Sequence, residues 1–264
     1  MRDRLGKTLA ALAVALVVTA SAALVVPAPA PARTATTSRS AEPTYVQQVR
    51  TIGRSVRGRE IRAWYRGDPA ATRVLVVLGQ MHGDEPAGRE TALWLIRNLR
   101  PAAGTGIWVL PTMNPDGRVR HTRKNAHGVD LNRNWPTSGW TRTSRGDRYY
   151  GGRRPASEPE TRAMMRFLAE VRPHYIASIH QPLRGIGRSS TGRDWQARLA
   201  RNLGLPLKSF GVGNPSGTVS PTLTGWFNQR YAGTATTIEY GPHPTTRFRT
   251  VRAGRGIARA AGVF

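Results

Sequence analysis

Three short apolar runs in this chain stop abruptly at residues able to bind a metal or carry a proton. Val74 to Leu78 leads into His82-Gly83-Asp84-Glu85, Tyr175 to Ile179 into His180, and Thr234 to Ile238 into Glu239. Short aliphatic and β-branched runs bounded by polar residues predict buried strands. Ile107 to Leu110 reads the same way, and Ser55 to Tyr65, with Gly58 between two β-like arms, predicts a hairpin. Between these runs lie stretches of helical spacing. Glu85 to Leu99 carries Ala87, Leu93, Leu95 and Ile96 on one face, and Asp194 to Leu203 and Trp226 to Tyr231 are further helices. Ser157 and Glu160 form a capping-box pattern that starts a helix running to about Val171, and Arg247 to Ala261 closes the chain with another. Strands alternating with helices predict an α/β fold: one domain built on a mixed, mostly parallel twisted sheet with helices on both faces.

The chain has 264 residues. Residues 1–32 read as a secretory signal: Arg2, Arg4 and Lys7 precede an apolar run from Leu9 to Val26, and Ala30-Pro31-Ala32 fits a cleavage site. An uncleaved N-terminal anchor is the alternative, because that run is nearly long enough to span a bilayer. Residues 33–44 form a flexible linker, in a stretch rich in Pro, Ala, Thr and Ser, and residues 45–264 form the folded domain. The expected location is secreted or in the cell envelope. With no cysteine, the chain has neither disulfides nor thiolate ligands. The net charge of +25 comes mostly from arginine, since lysine occurs only at Lys7, Lys124 and Lys208. Such a charge suits an anionic cell wall, while an Arg-rich codon bias is the plainer explanation. The basic residues are spread along the chain and form no nucleic-acid module, so no nucleic-acid partner is expected.

In open α/β sheets, ligands bind beyond the carboxyl ends of the strands, where His82, Glu85, His180 and Glu239 are expected. A catalytic zinc takes three N or O ligands and keeps a fourth position open, which His82, Glu85 and His180 would provide. Peptide hydrolysis also needs a group that takes a proton and returns it to the leaving amine, a role for Glu239. A cation near the developing oxyanion and a planar guanidinium for a terminal carboxylate complete the set. Arg123 and Arg133 suit those tasks, with Asn132 as a further donor. They lie in residues 114–154, a polar stretch without clear periodicity and too long for an ordinary connection, as functional loops often are.

These residues resemble the M14 family of zinc carboxypeptidases. The resemblance rests on His82-x-x-Glu85, Asn114-Pro115-Asp116-Gly117, Arg123-Lys124-Asn125, the run from Gly128 to Trp135, His180, and Ile238-Glu239. It implies one zinc held by His82, Glu85 and His180, with Glu239 as general acid/base and Arg123 as oxyanion stabiliser. Asn132 and Arg133 would hold the substrate's terminal carboxylate, and Asp130 would orient the first zinc histidine. Within the family, Ser157-Glu158-Pro159-Glu160-Thr161 and His180-x-Pro182-Leu183 are most similar to the bacterial murein peptide amidases. That similarity implies an exported enzyme cleaving the γ-D-glutamyl to diaminopimelate bond, with a peptide or muropeptide as substrate. A carboxypeptidase acting on ordinary L-peptides and an inactive wall-binding protein are the other readings. Gln181 stands where the amidases imply an acidic residue, Arg184 and Arg188 lie nearby, and the stretch from Gly211 to Thr224 holds no tyrosine to close over a substrate.

Overall fold

The computed structural model describes residues 45–210 and 220–264. The signal and linker readings lie outside the described residues, as does most of the tyrosine-free stretch, residues 211–219. Among the described residues, eight strands form one sheet in the order β1-β2-β4-β3-β5-β8-β6-β7. They are β1 (Val46–Arg54), β2 (Glu60–Gly67), β3 (Arg73–Leu78), β4 (Thr105–Leu110), β5 (Tyr175–His180), β6 (Gly185–Gly187), β7 (Leu207–Lys208) and β8 (Thr234–Glu239). The central β4, β3, β5 and β8 run parallel, β1 and β2 form an antiparallel hairpin at one edge, and β6 pairs antiparallel with β8. The expected mixed α/β sheet is present.

Period-two alternation in the central strands feeds two cores. On one face Leu75, Val77, Ile107, Val109, Ala177 and Ile179 meet α1 (Ala87–Asn98), α4 (Arg193–Leu203) and α6 (Ala253–Ala261). On the other, Val76, Leu78, Trp108, Leu110 and Ile176 meet α3 (Pro159–Val171) and α5 (Leu223–Arg230). Strands buried on both faces read as continuous apolar runs for this reason. Among the described residues, no helix is long and apolar enough to cross a membrane.

Two local expectations are corrected. Residues 114–154 are not entirely irregular: α2 (Pro115–Arg120) is capped by the Asn114 side chain accepting from Gly117 N, and Leu131–Arg133 forms a single 3₁₀ turn. The capping box before α3 does not form. Glu158 occupies the cap position without a side-chain cap bond, Pro159 opens the helix, and Glu160 accepts instead from Val56 N and Asn125 Nδ2. A tertiary partner has won over the local one.

Candidate active site

Parallel register makes His180 and Glu239 partners at the carboxyl ends of β5 and β8, so they stand side by side at the sheet edge. His82 and Glu85 arrive on the short turn between β3 and α1, where Glu85 N donates to His82 O. Gly83 in that turn lies against α2: a Cβ there would sit 2.0 Å from the carbonyl carbon of Gly117. Only glycine allows this backbone approach, which docks the turn on the Asn114-Pro115-Asp116-Gly117 segment.

His82 Nδ1 lies 2.8 Å from Glu85 Oε1, His180 Nδ1 lies 3.1 Å from Glu85 Oε2, and the two Nδ1 atoms are 3.3 Å apart. The far nitrogens point away from this cluster, His82 Nε2 to Asp130 Oδ1 at 3.1 Å and His180 Nε2 to Ser178 Oγ at 3.0 Å. When each Nε2–H donates outward, each Nδ1 lone pair faces inward, the tautomer a metal requires. Zinc bonds of about 2.0–2.2 Å at tetrahedral angles would separate neighbouring donors by about 3.3–3.6 Å. The observed triangle is slightly tighter and has the right composition, so a zinc ion fits these three side chains.

The local field favours a cation. Burial opposes a charged His82, but the Glu85 and Asp130 carboxylates outweigh it and lift the imidazole to about 9. Burial would raise Glu85 and Asp130 as well. Their histidine neighbours, joined at Asp130 by Arg123 and Arg133, hold both well below the usual carboxylate range. Buried carboxylates that remain ionised need a positive partner, which a proton or a metal ion can supply.

Arg123 is held from two sides, by Asp130 Oδ2 at 2.9 Å from Nη2 and by Glu85 Oε1 at 3.1 Å from Nη1. Asp130 therefore braces His82 and Arg123 together, and its Oδ1 also accepts from Asn132 N at the start of the 3₁₀ turn. That turn brings Asn132 and Arg133 to the same wall, where Asn132 Oδ1 accepts from Leu223 N. Across from them, Glu239 Oε2 accepts from Leu183 N at 3.2 Å. Burial raises the Glu239 carboxyl above its ordinary 4.5, and His180 acts in the opposite direction.

A cavity of about 540 Å³ is lined by His82, Glu85, His180, Arg123, Arg133 and Glu239, with Asn132 beside them, while Asp130 lies fully buried behind His82. All eight residues expected from the sequence are thus brought to one place. Arg188 also lines the cavity and Arg184 does not. Gln181 is committed to structure, accepting from Ala87 N and donating to the Gly241 and Pro242 carbonyls. Two further residues belong to the site. Ser178 shares a strand face with His180 two residues on, a period-two relation readable in principle. Tyr149 lines the cavity, with the Arg123 and Arg133 guanidinium carbons 5.5 Å and 5.0 Å from its ring centroid. It comes from an aperiodic stretch that carries no sequence signal for its position.

Comparison with known proteins agrees with this geometry. The peptidase M14 pattern, described as zinc carboxypeptidase, matches residues 36–182. Murein peptide amidase A of Escherichia coli (strain K12) is 32% identical over 185 residues, covering 65% of this chain and 74% of that protein. The human carboxypeptidase N catalytic chain is 33% identical over 174 residues, covering 51% of this chain and 38% of that protein. Among solved structures, the murein-tripeptide amidase MpaA from Escherichia coli O157 superposes with a TM-score of 0.64 at 25% identity, over 84% of this chain and 94% of that one. Carboxypeptidase A from Helicoverpa armigera, at 22% identity and a TM-score of 0.69 over 82% of this chain and 69% of that one, shares the fold. With the family pattern covering more than half of its residues and a donor triangle that fits the metal, the chain belongs to the M14 zinc carboxypeptidases and is a zinc-dependent hydrolase.

Proposed function

We propose that this hydrolase cleaves the γ-D-glutamyl to diaminopimelate bond of cell-wall peptides outside the cytoplasm, with residues 1–32 as its export signal and residues 33–44 as a linker to the catalytic domain. The observation that carries the reading is the convergence of His82, Glu85, His180, Arg123, Arg133 and Glu239 on one cavity. Its substrate assignment draws on the two murein amidase relatives. In this reading His82, Glu85 and His180 hold one zinc, which when bound polarises a scissile carbonyl and acidifies water. Glu239 takes the proton from the attacking water and returns it to the departing amine, so one carboxylate serves both halves of the reaction. Burial raises the Glu239 carboxyl, which makes its carboxylate a stronger base toward the attacking water and lets the group hold the proton until the amine departs. Arg123, fixed by Asp130 and Glu85, stabilises the oxyanion without reorganising. Arg133 and Asn132 hold a free terminal carboxylate. Among the described residues, the rest of the cavity lining includes Arg148 and Arg188, and the acidic lining residues are Glu85 and Glu239, which suits a substrate with more than one carboxylate.

Mass spectrometry of L-Ala-γ-D-Glu-diaminopimelate after incubation with the zinc-loaded protein tests the reading. Chelator-sensitive release of diaminopimelate is expected. Turnover only of ordinary peptides with L-residues at the C terminus would make the enzyme a general carboxypeptidase instead. Arg133→Ala is expected to raise KM for free-carboxylate substrates by about tenfold or more with a smaller change in kcat, and equal turnover of amidated and free C termini by the parent enzyme would contradict the clamp.

A further inference from the structure

A second cavity, about 480 Å³, lies between the end of α4 and the last helix and shares no lining residue with the active-site cavity. Among the described residues, four of its nine lining residues are arginines, Arg247, Arg252, Arg255 and Arg259, and none is acidic. Residues 248–252 form a π turn in which the Ala253 N–H reaches the Phe248 carbonyl, five residues back. The extra residue in that turn helps bring Arg247 and Arg252 to the same concavity, and such turns often mark functional sites. Arg252, the residue before α6, and Arg255 and Arg259 within it follow at spacings of three and four and so lie on one helical face. The Arg252 guanidinium carbon lies 5.9 Å from the Phe248 ring centroid, which braces it at the cavity wall.

Like charges at these spacings repel, and among the described residues none of the four makes an ion pair. Arg249, in the same turn but not lining the cavity, does have a carboxylate partner, Glu90 at 2.6 Å. Within residues 247–259 the arginines without an ion pair are the four that line the cavity, where Asn202 and Thr245 add polar groups. A carboxylate has two oxygens in one plane. A tetrahedral oxyanion presents three or four and can engage several guanidinium forks from different directions.

We propose that this cavity is a binding site for phosphate groups, separate from the hydrolytic centre. The source is a free phosphate or a phosphodiester polymer, which share the recognition chemistry. Titration calorimetry on the zinc-loaded full chain, with inorganic phosphate in one arm and a glycerol-phosphate oligomer in the other, tests it. Binding in both arms identifies a site for the anion itself, and binding of the oligomer alone identifies a polymer site. In either case Arg252→Glu/Arg255→Glu is expected to weaken binding about tenfold or more while small-peptide hydrolysis is retained. The charge-matched Arg97→Glu/Arg120→Glu, outside both cavities, is expected to change it by about twofold or less. If the charge reversal unfolds the helix, Arg255→Gln/Arg259→Gln is expected to weaken binding about threefold or more. No binding in either arm, equal loss in the charge-matched variant, or equal affinity for polyglutamate would overturn the proposal.

Discussion

The active site is assembled from two kinds of backbone. His180 and Glu239 are the last residues of paired parallel strands, held in place by sheet hydrogen bonds and by cores on both faces. Arg123, Asp130, Asn132 and Arg133 come from the long segment between β4 and α3, which has no sheet partner and is held by scattered backbone bonds such as Asp130 N to Tyr150 O, by the buried Leu131 and Trp135, and by polar side chains. Three buried asparagines serve there as rivets. Asn114 bonds to Gly117 N and Met81 O, and Asn125 to Val129 N and the Glu158 and Glu160 carboxylates. Asn134 bonds to Gly151 O, Arg154 O, Ser157 Oγ and Glu158 N. In the proposed function, rigid strand ends place a metal ligand and a proton carrier, while a riveted loop places the groups that would meet the substrate's charges. These asparagines tie together several turns of the segment, so damage to them should separate from damage to the strand ends.

The largest effect is expected at a strand end. Glu239→Gln should lower kcat by about 10²–10⁴-fold while zinc stays bound, because the proton carrier is lost and no ligand is. Loss of zinc in this variant would contradict the separation of roles. The same carboxylate should set the acidic limb of the pH profile. Its folded pKa lies above 4.5 because of burial, and the base must be ionised to act, so activity should rise with pH through a midpoint above that value and fall away below it. A profile flat down to pH 4.5 would rule this out.

Asp130→Asn comes next, since this residue joins the two regions through His82 and Arg123. Zinc affinity should fall by about 10–100-fold, measured by competition with a chelator, and unchanged affinity would show that His82 does not need its carboxylate. The smallest effect at the chemical centre should come from Asn134→Ala. Four hydrogen bonds, two of them fully buried, would be lost, and chemical unfolding should show a loss of about 2–4 kcal/mol with zinc stoichiometry unchanged. A variant as stable as the parent would mean that the segment is not held by these rivets.

The same division governs what could be read in the sequence. The strand-end residues were legible because buried parallel strands leave an apolar run that ends where the reactive residue begins. The loop residues were legible through the chemistry they could supply and, for Asp130, only through resemblance, since nothing periodic precedes Arg123 or Asp130. Helix α2 was missed although Asn114-Pro115 is a cap followed by a first-turn proline, a signal too short to stand out in a polar stretch. The capping box failed for the opposite reason: Glu160 is drawn to Val56 N and Asn125, contacts no local pattern can anticipate. Tyr149 has no sequence signature because its place beside Arg123 and Arg133 depends on how the whole segment folds back.

The central claim is that His82, Glu85 and His180 hold one zinc beside a proton carrier that is not a ligand. Zinc per chain, measured by inductively coupled plasma mass spectrometry after equilibrium dialysis against limiting zinc, tests it most directly in the parent, Glu239→Gln and His180→Ala proteins. About one zinc per chain is predicted for the first two and nearly none for the third, with circular dichroism confirming that each is folded. Full occupancy in His180→Ala, or loss of zinc from Glu239→Gln, would contradict the assignment.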